Sequence, residues 1–193
     1  GWMRYQKEGT YFPIYEIATE MIRVSDNTAT NLLIKAIGGI DIVNQRLKGI
    51  GLTQTRLNNL LPDLDGTNIT TAKELALILQ FINDTEFLSI KSRYLFRDIL
   101  STSKPNSLIP NGILKSLKVN KPGNIDYNLL IKGFRVFNKT GDIGIAYADA
   151  AIIQMPDNSN AFVGFVVKGP FNDPRSADLI RKMTSEMISL LNN

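Results

Sequence analysis

The spacing of apolar residues changes once along this chain, near residue 132, and that switch restricts its possible folds more than any other feature. Before it, apolar side chains recur every three or four residues, as in Ile14, Ile17, Ala18, Met21 and Ile22, which is the period of an amphipathic helix. After it come three short runs that read as strands, Gly133 to Asn138, Ala146 to Gln154 and Ala161 to Lys168, the last two joined by a Pro156-Asp157-Asn158 turn. Asp173-Pro174 then opens a final amphipathic helix to about Leu191, with Leu179, Ile180, Met183, Met187 and Leu190 expected to face inward. Helices first, then a meander and a closing helix, imply an α+β layout. Residues 1–131 read as a helical lobe and residues 132–193 as antiparallel strands plus a C-terminal helix of the same domain.

Within the helical lobe, capping residues and glycines set the expected boundaries. Pro13 suits a first helical position, and Ser25 reads as the N-cap of a helix from Asp26 to Ile37, closed by Gly38-Gly39. A third helix, about Ile40 to Lys48, stops at Gly49 and Gly51. Residues 52 to 70 form a loop, after which Thr70 or Thr71 caps a helix, with Glu74 completing a capping box to Thr71. Another helix is expected over Glu86 to Leu100. The stretch 101 to 131, with Pro105, Pro110 and Pro122, reads as a long irregular connection with one short helix near Asn111.

The sequence contains no cysteine and no histidine, which excludes thiol catalysis, disulfides, histidine-ligated metals and any triad with a histidine base. Chemistry must therefore run on Ser, Lys, Tyr, Asp or Glu. The net charge of +4 is scattered, and the loose run Lys115, Lys118 and Lys121 reads as a solvated loop rather than a nucleic-acid patch. The longest apolar runs, such as Leu75 to Leu79 and Phe162 to Val167, are too short to cross a bilayer. The opening Gly1-Trp2-Met3-Arg4 reads as the middle of a longer chain.

Two tripeptides carry the chemistry: Ser25-Asp26-Asn27 at the start of a helix, and Lys139-Thr140-Gly141 at the end of a strand that is followed by two more strands and a helix. In order and placement the chain resembles class A β-lactamases and penicillin-binding proteins, whose signature joins these tripeptides to an upstream Ser-x-x-Lys. The resemblance implies a β-lactamase/transpeptidase-like fold and a serine acyl-transfer enzyme. On that reading Ser25 relays a proton to the leaving nitrogen, and Asn27 bridges a catalytic ammonium and a substrate carbonyl. Asp26 is a structural acceptor. Lys139 supplies a fixed positive charge, Thr140 hydrogen-bonds a substrate carboxylate, Gly141 allows close approach, and the Asp142 N–H is a donor of the oxyanion hole.

The chain departs from this family pattern in three places. No serine precedes Ser25, so the nucleophile motif is absent; the one Ser-x-x-Lys match, Ser101-Thr102-Ser103-Lys104, follows it in a Pro-flanked loop. The N-terminal part of the fold is thus expected to be missing, leaving the chain inactive alone and its apolar faces exposed, or borrowing that segment as a separate chain. Second, Leu61 stands in Leu60-Leu61-Pro62 where the family's deacylating glutamate would be, with Asp63 or Asp65 as the alternative carboxylates. An alkyl side chain cannot deprotonate water. Third, the strand Ala161 to Gly164 has no arginine for a substrate carboxylate; Arg135 lies on the strand leading to Lys139, and the segment 104 to 132 is placed to border the groove.

Leu61 makes the chain most similar to the cyanobacterial class A-like penicillin-binding proteins, which are DD-peptidases. The implied activity is a D-alanyl-D-alanine carboxypeptidase or transpeptidase with long-lived penicilloyl adducts, outside the cytoplasm. Its partners would be a peptidoglycan stem peptide or a β-lactam, with no nucleic acid, metal or cofactor. A β-lactamase with an unusual deacylation route and a non-catalytic peptidoglycan-binding relative are the two alternatives.

Overall fold

The computed structural model describes residues 1–104, 107–119 and 123–191; Pro105, Lys121 and Pro122 lie outside them. After a 3₁₀ turn at Met3–Tyr5 come α1 (Ile14–Arg23), α2 (Asn27–Ala36), α3 (Ile40–Gly49), α4 (Ala72–Asn83), α5 (Ile90–Ser101), α6 (Ile109–Ser116) and α7 (Ile125–Ile131). Strands β1 (Arg135–Ile143), β2 (Ala146–Gln154) and β3 (Asn160–Lys168) then form an antiparallel sheet in the order β1-β2-β3, and α8 (Pro174–Leu191) closes the fold. The α+β layout expected from the change of period is present.

Strand β2 is central and covered on both faces. Alternate residues point to opposite sides: Ala151 and Ile153 join Ile109, Ile113, Ile180 and Ile188 under α6 and α8, while Ala150 and Ile152 join Leu79 and Leu100 under α4 and α5. Two glycines permit the close approaches. A Cβ on Gly164 of β3 would lie 2.4 Å from the Ala72 carbonyl oxygen of α4, and one on Gly112 of α6 would lie 2.5 Å from Thr184 Cβ of α8.

That second contact corrects the expected inward face of α8. The buried residues are Ser176, Ala177, Ile180, Thr184 and Ile188, whereas Leu179, Met183 and Leu190 are exposed. The helix carries two apolar stripes, and the one with the smaller residues fits against Gly112. Other boundaries also moved. Helix α5 begins at Ile90 because Ser89 caps it, and the Glu86 N–H upstream is taken by the Asp84 carboxylate. The connection 101 to 131 holds a second helix, α7, started by Asn124, whose side chain accepts from the Tyr127 N–H. The capping box is half formed: Thr71 accepts from the Glu74 N–H, but the Glu74 carboxylate reaches back to the 52–70 loop, binding Gln54 N–H at 2.9 Å and Thr55 Oγ1 at 2.6 Å.

Candidate active site

The first side of the site is built at the start of α2. Asp26, not Ser25, caps this helix: its carboxylate accepts from Thr28 N–H at 2.9 Å, Ala29 N–H at 3.1 Å and Met3 N–H at 3.0 Å. Burial pushes this carboxyl up, but the N–H donors outweigh it and hold it below the usual carboxylate range. Asp26 is therefore a structural acceptor, as its place in the sequence implied. With the cap supplied by the next residue, Ser25 takes a left-handed backbone, φ 53°, a conformation that costs a serine about 1–2 kcal/mol. Its hydroxyl is thereby left to the cleft. Asn27, the first residue of α2, lines the same space, and its carboxamide has no hydrogen-bond partner among the described residues.

The second side is β1. Lys139 reaches across the cleft and donates from Nζ to Ser25 Oγ at 2.5 Å and to the Thr140 carbonyl at 2.5 Å. Burial holds its ammonium below the usual lysine range, opposed by the negative charge of Asp149. Gly141, Asp142, Ile143 and Gly144 continue this wall, and Thr140 between them is half-buried and is not among the lining residues. A Cβ on Gly141 would meet only Ala148, at 3.9 Å. The sheet therefore does not require glycine here; a side chain would fill the cleft instead. The Asp142 carboxylate accepts from Asn172 N–H at 3.1 Å, which fixes the rim.

The floor comes from the 52–70 loop, which is tied down by paired side chains. Asn44 exchanges two hydrogen bonds with the Leu57 backbone, at 2.7 and 2.8 Å. Asn31 of α2 does the same for Leu61: Nδ2 donates to the Leu61 carbonyl at 2.6 Å and Oδ1 accepts from its N–H at 2.9 Å. Leu61, joined to Pro62 by a cis peptide, is thus held half-buried in the cleft wall. Asp63 also lines the cleft, but its oxygens accept from Thr67 Oγ1 at 2.8 Å and Asn68 N–H at 2.6 Å. Asn68 N–H foremost holds that carboxyl below its ordinary range, which makes it a poor proton acceptor. Asp65 is exposed and outside the cleft.

These elements enclose a cavity of about 770 Å³ lined by Ser25, Asn27, Leu61, Lys139, Gly141 and Asp142 together with apolar Met21, Ile22, Leu64, Ile143 and Phe171. Six of the seven residues singled out from the sequence therefore meet in one place, with Thr140 set beside them. Arg135, whose facing the sequence left open, lines a separate groove between α5, α7 and β1. The expectation for the segment 104 to 132 is corrected, since no described residue of it borders the cleft. Ser101 ends α5 away from the cleft, and Lys104 pairs with Asp126 at 3.8 Å. Sequence reasoning missed Asn31, which seats Leu61, and Asp149, a charged residue inside the apolar run Ala148 to Ile153. It also missed the apolar lining from Met21, Leu64 and Phe171.

Chemically, the cavity offers a hydroxyl hydrogen-bonded to a half-buried ammonium, a carboxamide beside it with no partner among the described residues, and a strand edge open to a ligand. Among the described residues no group of acidic side chains could hold a metal ion, and no helix is long and apolar enough to cross a membrane.

Comparison with known proteins follows the same outline. Residues 1–191 match the Beta-lactamase enzyme family. The β-lactamase BRO-1 of Moraxella catarrhalis is 26% identical over 175 residues, covering 91% of this chain and 52% of that protein. The structure of PBP-A superposes with a TM-score of 0.84 at 38% identity, covering 99% of this chain and 65% of that one. A leucine-to-glutamate variant of PBP-A, described as an acyl-enzyme complex with penicillin G, matches with the same TM-score at 37% identity over 99% of this chain and 66% of that one. A class A β-lactamase from Mycobacterium abscessus shares the fold, with a TM-score of 0.78 at 21% identity over 99% of this chain and 70% of that one. The chain thus spans about half of BRO-1 and just under two thirds of PBP-A. From the match over residues 1–191 and the fold it shares with PBP-A, the chain belongs to the β-lactamase enzyme family.

Proposed function

We propose that this chain supplies most of the active site of a penicillin-interacting serine acyl-transferase, a D-alanyl-D-alanine carboxypeptidase or transpeptidase of peptidoglycan that forms long-lived penicilloyl adducts. The observation that carries the reading is Leu61. It is seated by Asn31 in the wall of the cavity that holds Ser25 and Lys139, and the neighbouring Asp63 is committed to the loop's own hydrogen bonds. Hydrolysis of an acyl-enzyme needs a base to take a proton from water, and losing one costs about 10²–10⁴-fold in rate.

In the proposed reaction a serine outside these 193 residues attacks the carbonyl of a terminal D-alanine amide or a β-lactam. The tetrahedral oxyanion is bound in part by the Asp142 N–H. The attacking serine gives its proton to the lysine of its own Ser-x-x-Lys motif. The C–N bond breaks as the leaving nitrogen takes a proton from the Ser25 hydroxyl, which the Lys139 ammonium replenishes, and the proton held by the motif's lysine then restores Lys139. Asn27 orients the substrate carbonyl, and Lys139 meets the substrate carboxylate. Gly141 keeps the strand open to it. The PBP-A variant captured with penicillin G supports acylation of this fold by a β-lactam. Peptidoglycan substrates place the protein outside the cytoplasm, and the attacking serine would come from the rest of the same protein or a separate chain.

A second reading, a β-lactamase with a different deacylation route, is favoured by the β-lactamases among its relatives. Release of D-alanine from a peptide ending in D-Ala-D-Ala, with only slow turnover of a chromogenic cephalosporin, is expected of the full-length protein. Rapid cephalosporin turnover without D-alanine release would support the second reading instead.

A further inference from the structure

Behind the cleft lies a charged group that the proposed reaction does not use. Asp149 is fully buried in the middle of β2, directly across from Thr140 of β1. Its carboxylate accepts from the side chain of Asn138, the residue before Lys139, at 3.0 Å and from the Ile109 N–H at the start of α6, also at 3.0 Å. Helix α6 has no side-chain cap of its own, so Asp149 satisfies one of its orphan donors from across the sheet.

A structural cap would need no charge, since a neutral amide oxygen accepts the same N–H. What the charge adds is its effect on Lys139. The half-buried ammonium of Lys139 has no carboxylate ion-paired to it among the described residues, and Asp149 is the negative group that opposes its desolvation. Lys139 is likewise the charged group that acts on Asp149. On the other elements packed against β2, Lys73 of α4, Lys115 of α6 and Lys168 of β3 are exposed. Glu74 of α4 is bound to Gln54 and Thr55, and Arg181 of α8 to Ser107 and Asp178.

We propose that Asp149 is a positioning residue for the proton-transfer pair: from behind β1, through Asn138 and through its charge, it keeps Lys139 an ammonium facing Ser25. This deepens the reading of Lys139 and Ser25 given above, and it makes the proton supply depend on the ionisation of a buried group. Burial pushes the Asp149 carboxyl up to about 6, against the donors Asn138 and Ile109 and the charge of Lys139. Acidification through that range removes the counter-charge.

The test is a nuclear magnetic resonance titration of the full-length protein, following the Lys139 side-chain signals and the Asp149 carboxyl carbon, with no substrate. Asp149→Asn is the matched variant. The expected result is an inflection in the Lys139 signals at the Asp149 midpoint, near 6, which Asp149→Asn abolishes while shifting the Lys139 midpoint downward. Lys139 signals that ignore the Asp149 titration, or a Lys139 midpoint unchanged in the variant, would overturn the proposal and leave Asp149 a structural cap. Should the variant not fold, the wild-type inflection alone decides. Because no turnover is read, this outcome is independent of whether the enzyme is a peptidase.

Discussion

Replacing Asp149 with asparagine should remove a specific pH dependence from the stability of the protein. An asparagine at this position can still accept the Ile109 N–H through Oδ1, and Asn138, turned over, can accept from its amide, so both hydrogen bonds are retained in kind. What disappears is the titration. The fold raises this carboxyl from an ordinary 3.8 to about 6, so the native state binds the proton more tightly than the unfolded chain does. That contribution is fully present below about pH 4 and is lost as pH rises through about 6.

Each unit is worth about 1.4 kcal/mol, which makes the whole effect about 3 kcal/mol, of which about 2 kcal/mol falls between about pH 4.5 and 7.5. The measurement is urea unfolding of full-length wild-type and Asp149→Asn protein across that window. Titrations of the other carboxylates are common to both proteins and cancel in the difference. The wild type should lose about 2 kcal/mol relative to the variant as pH rises, a change of about 1 M in the difference between their urea midpoints. A difference that stays constant with pH would refute the assignment of Asp149 as the buried titrating group.

Other perturbations test separate links. Leu61→Glu places a carboxylate in the cleft without touching the Asn31 clamp, which binds only the Leu61 backbone; the lifetime of a penicilloyl adduct, followed by intact mass, should fall by about 10²–10⁴-fold. Asn31→Ala removes both clamp bonds and should cost about 1–3 kcal/mol in urea unfolding, while loosening the loop so that Leu61→Glu in that background gives a smaller rate gain. Gly164→Ala drives a Cβ into the Ala72 carbonyl and should lower the melting temperature well beyond the effect of Gly144→Ala, where a Cβ meets nothing within 4 Å.

Much of this was legible in the sequence because it rests on local rules. The change of period near residue 132 gave the order of helices and strands, and β2 and β3 fell where the apolar runs placed them. The two tripeptides located opposite walls of one cleft, since each is read from a helix start or a strand. Where the reading slipped, a non-local partner decided. Ser25 and Asp26 are both good caps, and the structure chooses Asp26, which also serves the Met3 N–H. The Glu74 carboxylate preferred Gln54 and Thr55 to its own helix. The buried stripe of α8 depended on Gly112 of another helix. Asp149 did leave a trace, a lone acid within Ala148 to Ile153, but its significance needed the strand register that set it across from Thr140.

On the proposed reading the serine facing this cleft is acylated and the adduct persists, because Leu61 takes the place of a deacylating base. The most direct measurement is the intact mass of the full-length protein after a brief exposure to benzylpenicillin, followed over time once free drug is removed. A single stoichiometric adduct that persists, and that Lys139→Ala forms much more slowly, is the predicted result. Return to the unmodified mass at the pace of steady drug hydrolysis, or the absence of any adduct, would contradict it.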